Sequence, residues 1–105
     1  MRIAYIAGPY RADTPHGIKL NIDRAESYAA KYWKLGYAVL SPHKNSGLLD
    51  GICPDENFLN GDHEFIKRLT EDDLLVLIPG WQGSSGSCAE LDLAVKLGIP
   101  VFEEE

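Results

Sequence analysis

Positive charge is scarce in this chain and nowhere concentrated. Ten Lys and Arg stand against sixteen Asp and Glu, a formal net charge of −6. No segment is a basic run, which excludes a protein that grips a nucleic-acid polymer by its backbone. A single nucleotide is not excluded, because backbone amides and one arginine can hold one phosphate. Cysteine is equally sparse. Cys53 and Cys88 are the only two; they lack metal-ligand spacing and no secretion signal precedes them. That points to a reducing cytoplasm and away from a disulfide framework. His16 and His63 lack a metal-like partner pattern, and neither a metal nor an organic cofactor is expected. Long apolar runs are missing: "MRIAYIAGPY" is too short for a signal peptide or a membrane span. There is no internal repeat and no low-complexity tract. What remains, 45% hydrophobic and 25% charged over 105 residues, is ordinary globular composition and enough for one compact domain, 1–105.

"RIAYIAG" (2–8), "YAVLSPH" (37–43) and "DLLVLIPG" (73–80) are short segments, the first and third apolar on both faces, which predicts buried strands. "IPVFE" reads as a fourth. Thr14 followed by Pro15 marks a helix start. From there Ile18, Ile22, Ala25, Ala29 and Trp33 trace one face of a long helix closed by Gly36. Residues 44–60 carry the turn signals Asn45, Gly47, Asp50-Gly51 and Pro54-Asp55, and read as a long loop holding at most a short helical turn. "DHEFIKRL" (62–69) is a short amphipathic helix, and 87–97 is another, ended by Gly98. This order predicts an α/β fold: a flavodoxin- or Rossmann-like three-layer sandwich around a small parallel sheet of four, at most five, strands. Ligands of such folds lie beyond the carboxyl ends of the strands, near a switch in strand order. Gly8 to Arg11, Ser41 to Asn45, Pro79 to Ser87 and Glu90 then share one rim. A small sheet with poorly protected edges also predicts a homo-oligomer.

The segment "GSSGSCAE" (83–90) carries the most chemistry. Gly83 and Gly86 let the backbone approach a ligand, Ser84 and Ser87 supply hydroxyls, and the helix start points free amides at the same spot, as a phosphate site requires. A flexible Ser/Gly turn with an ordinary cap is the plain alternative. Glu90 has two readings as well. Ser87-x-x-Glu90 matches a capping box, with Glu90 folded back to the Ser87 amide. Against this, Glu90 shares a helical stripe with Leu93, Ala94 and Leu97, which turns its carboxylate towards the buried face. There it would be a nucleophile at the mouth of a cleft. Tyr5 sits inside the first strand, as a core tyrosine or a partner in the cleft. Gly8-Pro9 makes a tight exit, and Arg11 is an anion clamp or a solvated charge. His43 and Asn45 are placed to meet a base or sugar, or to brace their loop. Trp81 is expected at the pocket wall, where it could stack on a base. Asp62 opens its helix as an N-cap or joins the rim as an acid. Glu71-Asp72-Asp73 reads as a solvated turn, and Cys88 as a small packing residue.

"YIAGPY", "DLLVLIPGW" and "S-S-G-S-C-A-E-L-D-L-A" together resemble the nucleoside 2-deoxyribosyltransferase-like superfamily, over nearly the whole chain. Within it the match is to a short phage and bacterial branch, and the chain is similar to the 2′-deoxynucleoside 5′-monophosphate N-hydrolases. The resemblance implies that Glu90 is the nucleophile, that Tyr5 positions it, and that Ser84 holds a 5′-phosphate where the transferases commonly carry an aspartate. The superfamily's acid is an aspartate eight residues before the one that opens strand 3. That count from Asp73 lands on Phe65, which can do no acid chemistry. Asp62 becomes the match if Thr70-Glu71-Asp72 is an insertion, and Glu64 is the other candidate.

The resulting expectation is cleavage or exchange at the N-glycosidic bond of a (deoxy)nucleoside 5′-monophosphate-like substrate. Glu90, Asp62 and Tyr5 would be catalytic. Gly8, Pro9, Arg11, His43, Asn45, Trp81, Ser84, Gly86 and Ser87 would bind substrate. The competing expectations are a non-catalytic nucleotide-binding module and a phosphoribohydrolase acting on ribonucleotides. The sequence separates neither ribose from deoxyribose nor hydrolysis from transfer.

Overall fold

A computed structural model describes all of residues 1–105. Four strands, β1 (Ile3–Ala7), β2 (Ala38–Leu40), β3 (Leu74–Leu77) and β4 (Val101–Glu103), alternate with helices α1 (Pro15–Lys34), α2 (Pro42–Ser46), α3 (Asp55–Lys67) and α4 (Ser85–Leu97). The strands form one parallel sheet in the order β2-β1-β3-β4. Its two faces are covered by helices, giving the expected three-layer α/β sandwich with four strands and no fifth.

Side chains on a strand alternate between faces, and β1 uses this to build two cores. Ala4 and Ile6 pack with Val76 and Ile78 beneath Ala25, Ala29 and Tyr32 of α1. Tyr5 and Ala7 face the other way, into a cluster with Leu75 and Leu77, Ile66 of α3 and Ala94 of α4. The same alternation therefore delivers Tyr5 to the side where α3 and α4 lie. The chain leaves β1 towards β2 over one face and leaves β3 towards β4 over the other, so the switch in strand order falls between β1 and β3. There Gly8 has no room for a side chain: a Cβ would come within 2.2 Å of Ile78 Cγ1.

Several boundaries differ from the sequence reading. Helix α1 begins at Pro15 with Thr14 capping the Gly17 amide at 3.0 Å, as expected. Its stripe, however, buries Tyr32 and leaves Trp33 57% exposed. The segment read as strand to residue 43 ends at Leu40. Ser41-Pro42 is an N-cap and first-turn pair, and α2 follows from Pro42. Helix α3 starts seven residues earlier than expected, at Asp55. Asp55 and Glu56 suit its first turn, where the positive end of the helix dipole lies, and Asn60-Gly61 is carried inside the helix. Asp73 is buried, not solvated. Its carboxylate accepts from the Ile3 amide (2.8 Å), the Thr70 amide (2.7 Å) and the Thr70 hydroxyl (3.1 Å), tying the starts of β1 and β3 together. Burial pulls this carboxyl upward, but those bonds outweigh it and hold the group below the ordinary aspartate range. No helix is long and apolar enough to cross a membrane.

Candidate active site

A cavity of about 450 Å³ opens at the carboxyl ends of β1, β2 and β3, of a size that suits a small metabolite. Glu90, which lines it, is held from behind by a residue distant in sequence. The Tyr5 hydroxyl, buried in the middle of β1, donates to Glu90 Oε2 in the second turn of α4. Glu90 is 9% exposed and lines the cavity with Asp62 of α3.

Helix α4 begins one turn earlier than the capping-box reading needs. Its N-cap is Ser84, whose Oγ accepts from the Ser87 amide (3.2 Å) and from the Ser87 hydroxyl (3.0 Å). Ser87 is thus the third helical residue and its amide is already used. Glu90 lies beyond the capping turn, so the solvent-facing cap is ruled out and the helix phase carries its carboxylate inward. Two acceptor positions of Ser84 are filled, which leaves its own hydroxyl proton as a free donor. The Ser85 and Gly86 amides, first in the helix, have no intrahelical partner. Ser84, Ser85 and Gly86 all line the cavity. A Cβ at Gly86 would meet only Leu59 and Ser84 at ordinary contact distance, and one at Gly83 would meet nothing. Packing does not demand these glycines; what they leave open is the cavity.

The electrostatics follow from burial. Glu90 is pushed up to about 7, by burial first; the Tyr5 hydrogen bond lowers it in part, and the negative charge of Asp62 raises it further. Asp62 is pushed up to about 6 by burial. Tyr5 is raised far above the ordinary phenol, by burial, by the charges of Glu90 and Asp62 and by its hydrogen bond. It therefore remains a donor at any working pH. Near neutrality the two carboxyls hold about one proton between them. A donated hydrogen bond favours an ionised acceptor, so the Tyr5 contact brings Glu90 down towards Asp62, and Glu90, at about 7 against about 6, still holds the shared proton the more strongly.

Asp62 is not an N-cap, since it sits in the middle of α3. Glu64, the other candidate acid, points to solvent and pairs with Arg68 at 3.0 Å. Phe65 does not line the cavity. Gly8, Pro9, Arg11, His43, Ser84, Gly86 and Ser87 all do. Arg11 is already paired with Asp55 at 2.7 Å across the mouth, both side chains being mostly exposed. Asn45 and Trp81 do not reach the cavity. Because α2 is a helix, Asn45, two residues after His43, projects from a different face. It joins Trp33 and Lys44 in a separate groove against α1. Gly80 adopts a left-handed φ of 95° and starts a 3₁₀ turn over Trp81–Gly83. Trp81 then packs against the Tyr5 cluster and its indole N–H donates to Glu103 at 3.1 Å. It is a prop under β4, not a pocket wall.

Sequence reasoning missed Asp50, Asp55, Leu59 and His63, which also line the cavity, and put Tyr10 on the rim without a role. Asp50 and Asp55 were visible only as turn formers. The Tyr10 hydroxyl donates to Asp50 (2.7 Å) and accepts from the Leu48 amide (2.8 Å), fastening the segment after α2 beside the mouth. No group of three or more His, Cys, Asp and Glu is arranged to hold a metal ion.

Residues 2–103 match the profile of a domain of unknown function, DUF4406. The chain belongs to that family, which groups proteins of this sequence type without assigning them an activity. No curated protein matches the chain.

Proposed function

We propose that the protein cleaves the N-glycosidic bond of a nucleoside 5′-monophosphate-like substrate through a glutamate nucleophile. The observation that carries this reading is the buried Tyr5 hydrogen bond to Glu90, which lines a cavity together with Asp62. Two carboxyls kept close to neutrality by their surroundings, one braced by a phenol, are what a nucleophile and an acid at one anomeric carbon need. Likeness to the nucleoside 2-deoxyribosyltransferase-like superfamily supports the same assignment.

In this mechanism ionised Glu90 attacks C1′ as the bond to the base breaks. The bonding pair leaves with the base nitrogen, which takes the proton of Asp62. The transition state is oxocarbenium-like, and the adjoining negative charge stabilises it. Asp62, now ionised, takes a proton from water as that water attacks C1′ of the glycosyl ester, and Glu90 is released. A second base in place of water would give exchange. The Ser84 hydroxyl and the Ser85 and Gly86 amides hold the phosphate. Arg11 reaches the same mouth and exchanges Asp55 for the ligand anion. This catalytic reading is preferred to a binding-only module because Asp62, not Phe65, faces the cavity.

Chromatography of nucleosides and nucleotides incubated with the protein tests the proposal. Free base should be released from one or more 5′-monophosphates; release from none of them overturns it.

A further inference from the structure

Phe58 is a half-buried aromatic side chain with no place in the core. It belongs to neither of the two hydrophobic clusters that flank the sheet, and it pairs with no other ring. It lines the cavity instead. Side chains four apart lie one above the other on a helix, and Phe58, Asp62 and Ile66 follow one another at that spacing along α3. Ile66 is fully buried against the sheet and Asp62 lines the cavity, so this stripe faces inward over the strand ends. Helix α3 starts at the cavity mouth with Asp55, which meets Arg11 there, and runs down to Ile66 in the core. Phe58 thus lies one turn above Asp62, between the acid and the mouth.

Leu59 is next in sequence but turns another way. A Cβ placed on Gly86 would lie 3.9 Å from Leu59 Cδ2, so Leu59 borders the start of α4 and the donors that hold the phosphate. Phe58 belongs to the other end of the ligand. In the mechanism above the base departs towards Asp62, which must reach a base nitrogen to give up its proton. Side chains one turn apart on a helix have Cβ atoms about 5–6 Å apart, which is within the reach of a planar base. A ring one turn from the acid therefore meets the base that the acid protonates. Trp81, the ring that the sequence offered for this task, is drawn off to Glu103.

Resting on the glycosidase reading, we propose that Phe58 is the wall on which the base of the substrate stacks, and that the site takes purine 5′-monophosphates ahead of pyrimidine ones. Stacking on an aromatic side chain serves every base, because each has a π-face, and it strengthens with the ring area covered. The preference is graded and not exclusive, since stacking reads area and not hydrogen-bonding pattern.

The test is calorimetric binding to Glu90→Gln protein, which prevents turnover. The probes are the 2′-deoxynucleoside 5′-monophosphates of adenine and of cytosine. The purine should bind about threefold more tightly or better. Adding Phe58→Ala should weaken the purine by about tenfold or more and bring the two affinities together, since the larger base loses the larger contact. Phe58→Tyr keeps the ring and should keep both the affinity and the preference. Phe58→Leu keeps apolar bulk without the ring and should lose the preference. A purely structural role would weaken both probes by one factor and leave their ratio unchanged. Equal binding of the two probes by the Glu90→Gln protein, or a ratio that survives Phe58→Ala, overturns the proposal while leaving base release intact. Selective, ring-dependent binding with no base release by the wild type would instead remove the glycosidase reading and leave the stacking wall standing. Binding of neither probe overturns both.

Discussion

Tyr5 of β1 and Glu90 of α4 are joined by a buried hydrogen bond, the phenol donating to the carboxylate. The contact depends on the strand's alternation, which turns Tyr5 towards α4, and on the helix starting at Ser84, which turns Glu90 inward. The Tyr5 bond is the only cause that lowers Glu90, against burial and the charge of Asp62. Tyr5→Phe should therefore move the Glu90 pKa above about 7. Hydrogen bonds to charged groups are worth about 1.5–3 kcal/mol, so base release at pH 7 should fall roughly 10- to 100-fold. The loss should shrink as pH rises and Glu90 ionises. A pH profile of kcat for the two proteins measures this.

The buried carboxyl also makes stability depend on pH in an unusual direction. Glu90 rises from 4.5 to about 7 on folding. Between those values the folded chain binds more protons than the unfolded one, so stability falls as pH rises. The favourable contribution is complete below about pH 4.5 and is lost as pH passes through about 7. Glu90→Gln should consequently be more stable than the wild type at pH 8, by on the order of 3 kcal/mol, and nearly equal to it at pH 4. Thermal melts at the two pH values check this.

Asp62→Asn should lower base release from natural nucleotides by about 10²- to 10⁴-fold, the usual range for a general acid. The loss should be much smaller with a leaving group that departs without a proton, such as a nitrophenol glycoside 5′-phosphate. Glu64→Gln should leave both rates unchanged, since Glu64 faces solvent against Arg68.

Asp73 behaves in the opposite sense to Glu90. Its folded pKa is lowered, so its contribution is present above the unfolded aspartate value and is lost as pH falls through the folded one. Asp73→Ala strips acceptors from the Ile3 and Thr70 amides. It should cost about 2 kcal/mol at pH 7 and less at pH 3. Urea titrations at the two pH values give the difference.

The sheet was legible because its strands are short, apolar and bounded by Gly and Pro, and Thr14-Pro15 and Gly98 mark helix ends by their local chemistry alone. Glu90 was legible from helix phase, and Tyr5 from its strand. What failed did so where local signals conflict with tertiary packing. Residues 55–60 read as part of a loop behind the Pro54-Asp55 turn signal, yet they are the first turns of α3, whose Ile66 is buried against the sheet. Ser87-x-x-Glu90 imitated a cap because a serine one turn earlier was equally able to serve. His43 and Asn45 looked equivalent until α2 set them on different faces. Trp81 was drawn out of the site by one glycine in the left-handed region.

The most direct measurement is the rate of base release from 5′-monophosphates by wild-type protein and by Glu90→Gln, with circular dichroism to establish that both are folded. Release by the wild type and its loss in a folded Glu90→Gln protein is the predicted result. Undiminished release by that variant would contradict the assignment of Glu90 as nucleophile.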